Sequence, residues 1–311
     1  MAKIIAIRDA YGDALAKLGA ENEDVVVLES DVGGSTKSCV FGKQFPDRYF
    51  NVGIAELGMT TMSAGFARCG KIPFVNTFSV FLATRGSDAI QSLAAYDKMN
   101  MKLAGTYCGL SDSYDGASHQ AITDMAFVRS IPNMTVISPC DAVETEKAVF
   151  AAAKYDGPVY IRLSRAAAPV IYDEDMNFEI GKGILLRDGT DLTIVATGTM
   201  VSSALEAADQ LAEKGINAAV IDIHTVLPLD ETLILEYAKK TGCVVSCEEH
   251  SIRGGLTSAV AECLSENRPT LLGCVGVTEF AESGDYNQLL AKYGLDAAGI
   301  VRKCVQTLEK K

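Results

Sequence analysis

Two kinds of apolar pattern alternate along the first 165 residues of this chain. Short unbroken apolar runs read as strands buried on both faces, and longer stretches with apolar residues every three or four positions read as helices. Strands are predicted over residues 25–31, near 49–52, and over 72–77, 102–107, 134–138 and 159–164. Between them, helices are predicted over 5–19, from Glu56 onward, over 83–97, 121–131 and 141–155, the last capped by Asp141. Residues 166–183 break this rhythm with an Ala-rich stretch, Pro169 and the acidic Asp173-Glu174-Asp175. A second series follows, with strands over 191–197, 218–224, 244–248 and 271–277 and helices near 200–214, 230–240, 254–265 and 286–310. The expected architecture is α/β in two domains, 1–166 and 184–311, joined by a linker over 167–183. Each domain is expected to hold a mainly parallel sheet flanked by helices. Such sheets carry their sites on loops at the carboxyl ends of strands. The loops at 31–36, 53–56, 77–81, 107–120 and 164–166 all follow strands and are expected to share one edge.

The stretch from Phe50 to Thr60 stands out. An extended, aromatic-led run stops at Gly53, and a helix then starts with a single carboxylate, Glu56, in its first turn. Small and apolar residues follow through Ala67, so this helix is expected to be buried on nearly all sides. A carboxyl group at the mouth of a buried helix can hold a proton it would lose in water. Complementarity to the helix dipole explains a first-turn acid equally well.

Composition narrows the choices. Hydrophobic residues make up 48% of the 311, yet no apolar run reaches the roughly 18 residues of a membrane span. The start of the chain is charged too early for a signal peptide. The nine cysteines are scattered without a CxxC pair, and several fall in apolar runs. They read as reduced core residues of a cytoplasmic protein rather than a disulfide or zinc framework. A net charge of −12 argues against a nucleic-acid surface but allows an anionic small molecule held by a few arginines.

Only three histidines are present, His119, His224 and His250. His119 shares the polar 109–120 loop with Asp115, four residues before it, and both could face one cavity. His224 and His250 end predicted strands without a partner constellation and read as structural. Phe78 and Phe81 lie just past a strand, as core residues or as an aromatic face for a planar heterocycle. Arg165 ends a strand beside Ser164 and could hold an anion, and Arg8 sits near a helix start. Gly33-Gly34 and Gly254-Gly255 fit neither GxGxxG nor GxxxxGK[ST]. No Gly-Asp-Gly run followed 25–30 residues on by Asn, a pattern that would hold a diphosphate-bound Mg²⁺, is found.

Several motifs occur together and in order: Asp31-Val32-Gly33-Gly34-Ser35, Phe50-Asn51-Val52-Gly53-Ile54-Ala55-Glu56, Thr77-Phe78-Ser79-Val80-Phe81, Asp115-Gly116-Ala117-Ser118-His119-Gln120, Ile131-Pro132-Asn133-Met134, Ser138-Pro139-Cys140-Asp141 and Leu163-Ser164-Arg165. Over essentially its whole length the chain resembles the second half of transketolase, the pyrimidine-binding domain followed by the C-terminal domain. The half that binds diphosphate and Mg²⁺ has no counterpart here. The resemblance implies one subunit of a split, thiamine-diphosphate-dependent transketolase of the pentose phosphate pathway type. It would need a separate N-terminal subunit to hold Mg²⁺, in a 2+2 heterotetramer that moves ketol units between sugar phosphates.

Residue by residue, Glu56 matches the glutamate that bonds the cofactor's aminopyrimidine, Phe81 the aromatic stacked on that ring, and Phe78 its neighbour. Asp31 and Val32 match residues next to the ring. His119 and Asp115 match groups that contact substrate hydroxyls. Arg8, Ser35 and Arg165 match ligands of the sugar phosphate. Two positions depart from the family. Thr84 stands where a third aromatic is common, and Tyr107-Cys108-Gly109-Leu110 lacks the usual phosphate-binding histidine. A 1-deoxyxylulose-5-phosphate synthase-like subunit and a non-catalytic assembly subunit are the alternatives. The Asp115–Gln120 motif disfavours the beta subunit of a 2-oxo-acid dehydrogenase.

Overall fold

The apolar runs become the strands of two sheets, the central ones buried on both faces. In the computed structural model, which describes residues 3–311, the larger sheet has seven strands. Their order is Thr225–Leu227, Thr135–Ile137, Val159–Leu163, Lys102–Thr106, Ile72–Phe78, Val25–Glu29 and Tyr49–Asn51. All neighbours are parallel except the first pair. Alternate side chains separate into two cores, as strand geometry requires. Val26, Leu28, Val75, Leu103 and Tyr160 enter one, and Val25, Val27, Phe74, Ala104 and Ile161 the other. The second sheet has five strands, in the order Leu271–Val277, Cys243–Ser251, Leu192–Ala196, Ala218–Asp222 and an antiparallel edge strand Ile184–Arg187. The two-domain α/β architecture expected from the pattern is the one observed.

Three features escape the periodicity. Ile5 and Ala6, expected as helix, belong to the strand Ile4–Ala6, which pairs antiparallel with Ala167–Pro169 before the helix Ile7–Glu21 begins. β-branched isoleucines favour the extended state there once a partner strand is present. The helix expected over 83–97 is three pieces, Ser79–Arg85, Ser87–Ala89 and a π-helical Ile90–Ala95, interrupted at Gly86. The helix expected over 286–310 is two, Tyr286–Lys292 and Ala297–Leu308, separated at Gly294 and restarted by the Asp296 side chain, which accepts from Gly299 N–H at 2.8 Å.

The two sheets are joined by more than one chain crossing. Thr225–Leu227, which follows the second sheet's Ala218–Asp222 strand, pairs with the edge of the first sheet. Beside it, Ser138 N–H donates to His224 O at 2.8 Å. Deeper in the seam lies a buried ion pair: Arg162 donates to Asp124 through Nε at 2.9 Å and also reaches the carbonyls of Ala121 and Glu249. Among the described residues no helix is long and apolar enough to cross a membrane.

Candidate functional site

Every parallel strand of the first sheet points its carboxyl end at one edge, so the loops expected to converge do so. The loop after Tyr49–Asn51 is shaped by Gly53, whose φ of 74° suits glycine, and by Asn51. The Asn51 side chain accepts from Gly53 N–H and donates to Asp31, each at 2.9 Å. Asp31 itself has a φ of 61° and is exposed. Val32 N–H donates to buried Glu29 at 2.7 Å, fixing the turn that leads to Ser35. Burial raises the Glu29 carboxyl, and the Val32 and Gly33 amides counter part of that rise.

The helix Glu56–Arg68 starts with no side-chain cap, which leaves its first amides to whatever faces them. Glu56 is 5% exposed. Its Oε1 accepts from Arg85 Nη1 at 2.8 Å. Arg85 in turn lies over Phe81, its guanidinium carbon 4.0 Å from the ring centroid. A planar cation therefore holds both the carboxylate and the aromatic face. The wider expectation for this helix fails on its outer side. Leu57 and Met62 are 45% and 48% exposed, and Ile54 just before the helix is 73% exposed. Only the face bearing Met59, Thr60, Ser63 and Ala64 is buried in this chain. Small and apolar residues mark a contact surface, and periodicity cannot say whether its partner is the same chain or another.

Aromatic rings link Glu56's neighbourhood to the long loop. Phe78 and Phe81 lie 5.9 Å apart, and His119 meets the edge of Phe81 at 5.2 Å. Phe78 stacks on Tyr107 at 4.3 Å. Tyr107 has a φ of 61°, and its hydroxyl accepts from Arg8. Arg8 and Arg165 both flank the Tyr107 ring, at 5.4 and 5.2 Å, and Arg8 also reaches the Ser35 carbonyl at 3.4 Å. Arg165 donates to buried Asp112 at 3.0 Å. Burial first, and then Asp115, pushes the Asp112 carboxyl up to about 6. The candidate residues Arg8, Asp31, Val32, Ser35, Glu56, Phe78, Phe81, Asp115, His119 and Arg165 thus all lie on the strand-end loops or the helix starts beside them.

Arg85, Tyr107, Asp112 and Glu249 were not among the candidates. Helical spacing offered a signal for Arg85, four residues beyond Phe81 on one face. Glu249 comes from the second domain and left no local signal. It accepts from Leu110 N–H at 2.6 Å, Thr199 at 2.9 Å and the Tyr286 hydroxyl at 2.6 Å, so it anchors the start of the long loop. Gly109 has to be glycine here: its φ is 61°, and a Cβ would lie 2.4 Å from Glu249 Oε1. His224 and His250 are buried away from this edge. His224 stacks on Phe178, and His250 accepts from Ala126 N–H at 3.3 Å. All nine cysteines are free.

A cavity of about 350 Å³ opens beside Arg165, lined also by Tyr114, Tyr286 and Asn287. A larger one, of about 740 Å³, lies apart from the strand-end loops, between the helices Ile7–Glu21 and Ala142–Lys154. None of the candidate side chains lines it.

Residues 3–170 match the family model described as the transketolase pyrimidine binding domain, and residues 181–300 match that of the transketolase C-terminal domain. A protein of Methanocaldococcus jannaschii named as a transketolase C-terminal section is 43% identical over 309 residues, covering 98% of this chain and 96% of that protein. A 6-deoxy-6-sulfo-D-fructose transketolase subunit of a Clostridium species is 42% identical, covering 98% and 95%. A split-gene transketolase solved as an inactive beta4 tetramer superposes with a TM-score of 0.91 at 46% identity, covering 98% of each chain.

Proposed function

The chain belongs to the transketolase family, and from that premise we propose that it is the C-terminal subunit of a split, thiamine-diphosphate-dependent transketolase. In this reading residues 1–166 form the pyrimidine-binding domain and 184–311 the C-terminal domain. The subunit works in the cytoplasm with a separate N-terminal subunit that holds the diphosphate and Mg²⁺. Together they move a two-carbon ketol unit between sugars that end in an acid group, a phosphate or a sulfonate. The observation that carries the reading is the buried Glu56 carboxylate beside the Phe81 ring, with only a half-exposed arginine in front of both.

That arrangement fits an aminopyrimidine on physical grounds. A planar ring with N–H donors needs an acceptor and an aromatic face, and the Arg85 guanidinium already uses that pair. Held there by Glu56 and Phe81, the cofactor would supply the carbon nucleophile that ketol transfer requires. Glu56 bonds the ring nitrogen and holds the proton that sets the ring's tautomer. Phe81, with Phe78 behind it, fixes the plane, and Asp31 and Val32 border it. His119 and Asp115 orient substrate hydroxyls and hold or move their protons. Arg8, Ser35 and Arg165 hold the acid group.

The exposed Ile54, Leu57 and Met62 support self-association through the Glu56 helix, hence two copies with two partner chains. The related split-gene subunit forms an inactive tetramer of its own, which supports dependence on a partner and also keeps alive a non-catalytic assembly role. One experiment decides. The chain is combined with its candidate N-terminal subunit, Mg²⁺, thiamine diphosphate, xylulose 5-phosphate and ribose 5-phosphate. Sedoheptulose 7-phosphate is the expected product. A well-folded complex that yields none from these or from sulfonated sugars sinks the reading. Product from pyruvate and glyceraldehyde 3-phosphate instead would favour the 1-deoxyxylulose-5-phosphate synthase-like alternative.

A further inference from the structure

Two guanidinium groups flank the Tyr107 ring at the strand-end edge, and they are not equally free. Arg165 gives its Nη1 to Asp112 at 3.0 Å, and the Asp112 side chain is fully buried. Arg8 meets only neutral oxygens, the Tyr107 hydroxyl and the Ser35 carbonyl. The buried Nε of Arg8 has no hydrogen-bond partner among the described residues. The cleft therefore offers one uncompensated positive charge, that of Arg8. Paired with Arg165 in this way, the Asp112 carboxylate offsets that guanidinium and leaves Arg8 as the free one.

Tyr107 stands between the two arginines. Its hydroxyl accepts from Arg8 and keeps its own proton to donate. Its ring is held by Phe78 at 4.3 Å and by the second domain's grip on the following residues, where Glu249 accepts from Leu110 N–H. Neutral and fixed, it adds a hydrogen bond without adding charge.

We propose that Arg8, Tyr107, Ser35 and Arg165 form an acid-group subsite that selects a singly charged tetrahedral terminus, a sulfonate, over a phosphate dianion. The proposal rests on the ketol-transfer reading for its substrate and names the terminus of that substrate. A monoanion balances Arg8. A dianion leaves one negative charge uncompensated beside Asp112, where the half-buried site screens it poorly. Three separate donors, the free edge of Arg8, the Tyr107 hydroxyl and the remaining N–H groups of Arg165, suit three oxygens better than the two of a carboxylate.

The test uses the full chain alone, with methanesulfonate, acetate and methyl phosphate as probes at pH 8, followed by calorimetry or ligand-observed NMR. Methanesulfonate is expected to bind tightest, about tenfold tighter than the methyl phosphate dianion. Asp112→Asn releases Arg165 and is expected to reverse that order. Tyr107→Phe is expected to weaken methanesulfonate about fivefold, the worth of one hydrogen bond. Tighter binding of methyl phosphate or acetate by the unmodified chain, an unchanged order in Asp112→Asn, or binding of none of the three overturns the proposal. Loss of the underlying reading would appear elsewhere, as a subunit complex without ketol transfer, whatever the order of the three anions.

Discussion

The strand-end edge of the first sheet and the seam between the two domains are built from the same residue types, yet they end differently. Around the Arg162–Asp124 pair of the seam, charge is buried and matched. Arg162 and Asp124 are 3% and 0% exposed, and around them Tyr160, Ala121 O and Glu249 O use the remaining donors and acceptors. At the edge, Glu56 is as deeply buried but its partner Arg85 is 51% exposed, Arg8 has a donor without an acceptor, and Asp31 and Asp115 face outward. Buried polar groups are normally satisfied within the fold. A constellation left half satisfied by its own chain is waiting for atoms from outside it. The seam holds the molecule together, and the edge is half of a site.

Breaking the seam should therefore cost stability, and breaking the edge should cost chemistry. The largest effect is expected from Asp124→Ala, which strands Arg162 in a dry interior. A loss of about 3–5 kcal/mol is expected, the usual cost of removing one partner of a buried ion pair. Urea unfolding of the isolated chain reads it directly, and a loss below about 1 kcal/mol would erase the contrast between the two regions. Glu56→Gln comes next. The amide still accepts from Arg85, so unfolding should be unchanged, while turnover of the two-subunit complex should fall about a hundredfold, or about 2.7 kcal/mol in the barrier. Near-normal turnover would remove Glu56 from the proposed chemistry, and marked destabilisation would move it into the structural class.

The contrast also explains what could be read from the sequence. The strands were legible because Val25–Leu28 or Leu192–Ala196 are buried on both faces and leave unbroken apolar runs. Strand-end convergence followed from topology, and with it the placing of Glu56, Phe81 and Arg165. The docking strand Thr225–Leu227 was not legible, since three residues beside Pro228 carry no period and gain their meaning from Thr135–Ile137, some ninety positions away. Glu249 and Asp124 were invisible for the same reason: their partners are distant in the chain. The outer face of the Glu56 helix misled, because residues such as Leu57 and Met62 look the same in sequence whether they are buried by their own chain or by another.

The smallest effect concerns His250, and it tests whether the seam is matched in protonation as well as geometry. Its Nδ1–H donates to Ser251 O at 2.7 Å and its Nε2 accepts from Ala126 N–H, so the neutral tautomer is the one the seam uses. Burial and its charged neighbours both bear on its charge. Burial lowers its pKa first and Arg162 also lowers it, while Glu248, 3.6 Å away, and Asp124, 3.9 Å away, raise it; the balance is downward. With the folded value below the unfolded one, near 6.5, the unfolded chain binds more protons between the two. His250 should therefore leave stability intact above about pH 6.5 and erode it as pH falls from there toward the folded value. Asp124, held low by Arg162 against the cost of burial, loses its contribution only in stronger acid, near and below the ordinary aspartate value of about 3.9. Asp112 and Glu249, both raised by burial, act in the opposite direction as pH falls through their own values. Those opposing slopes cancel in a difference. The stability of the unmodified chain minus that of His250→Gln should be flat above pH 7 and should decline on acidification from about 6.5, well before Asp124 titrates. A difference that is flat throughout would mean that His250 binds its proton equally well folded and unfolded, and that the seam is matched in geometry alone.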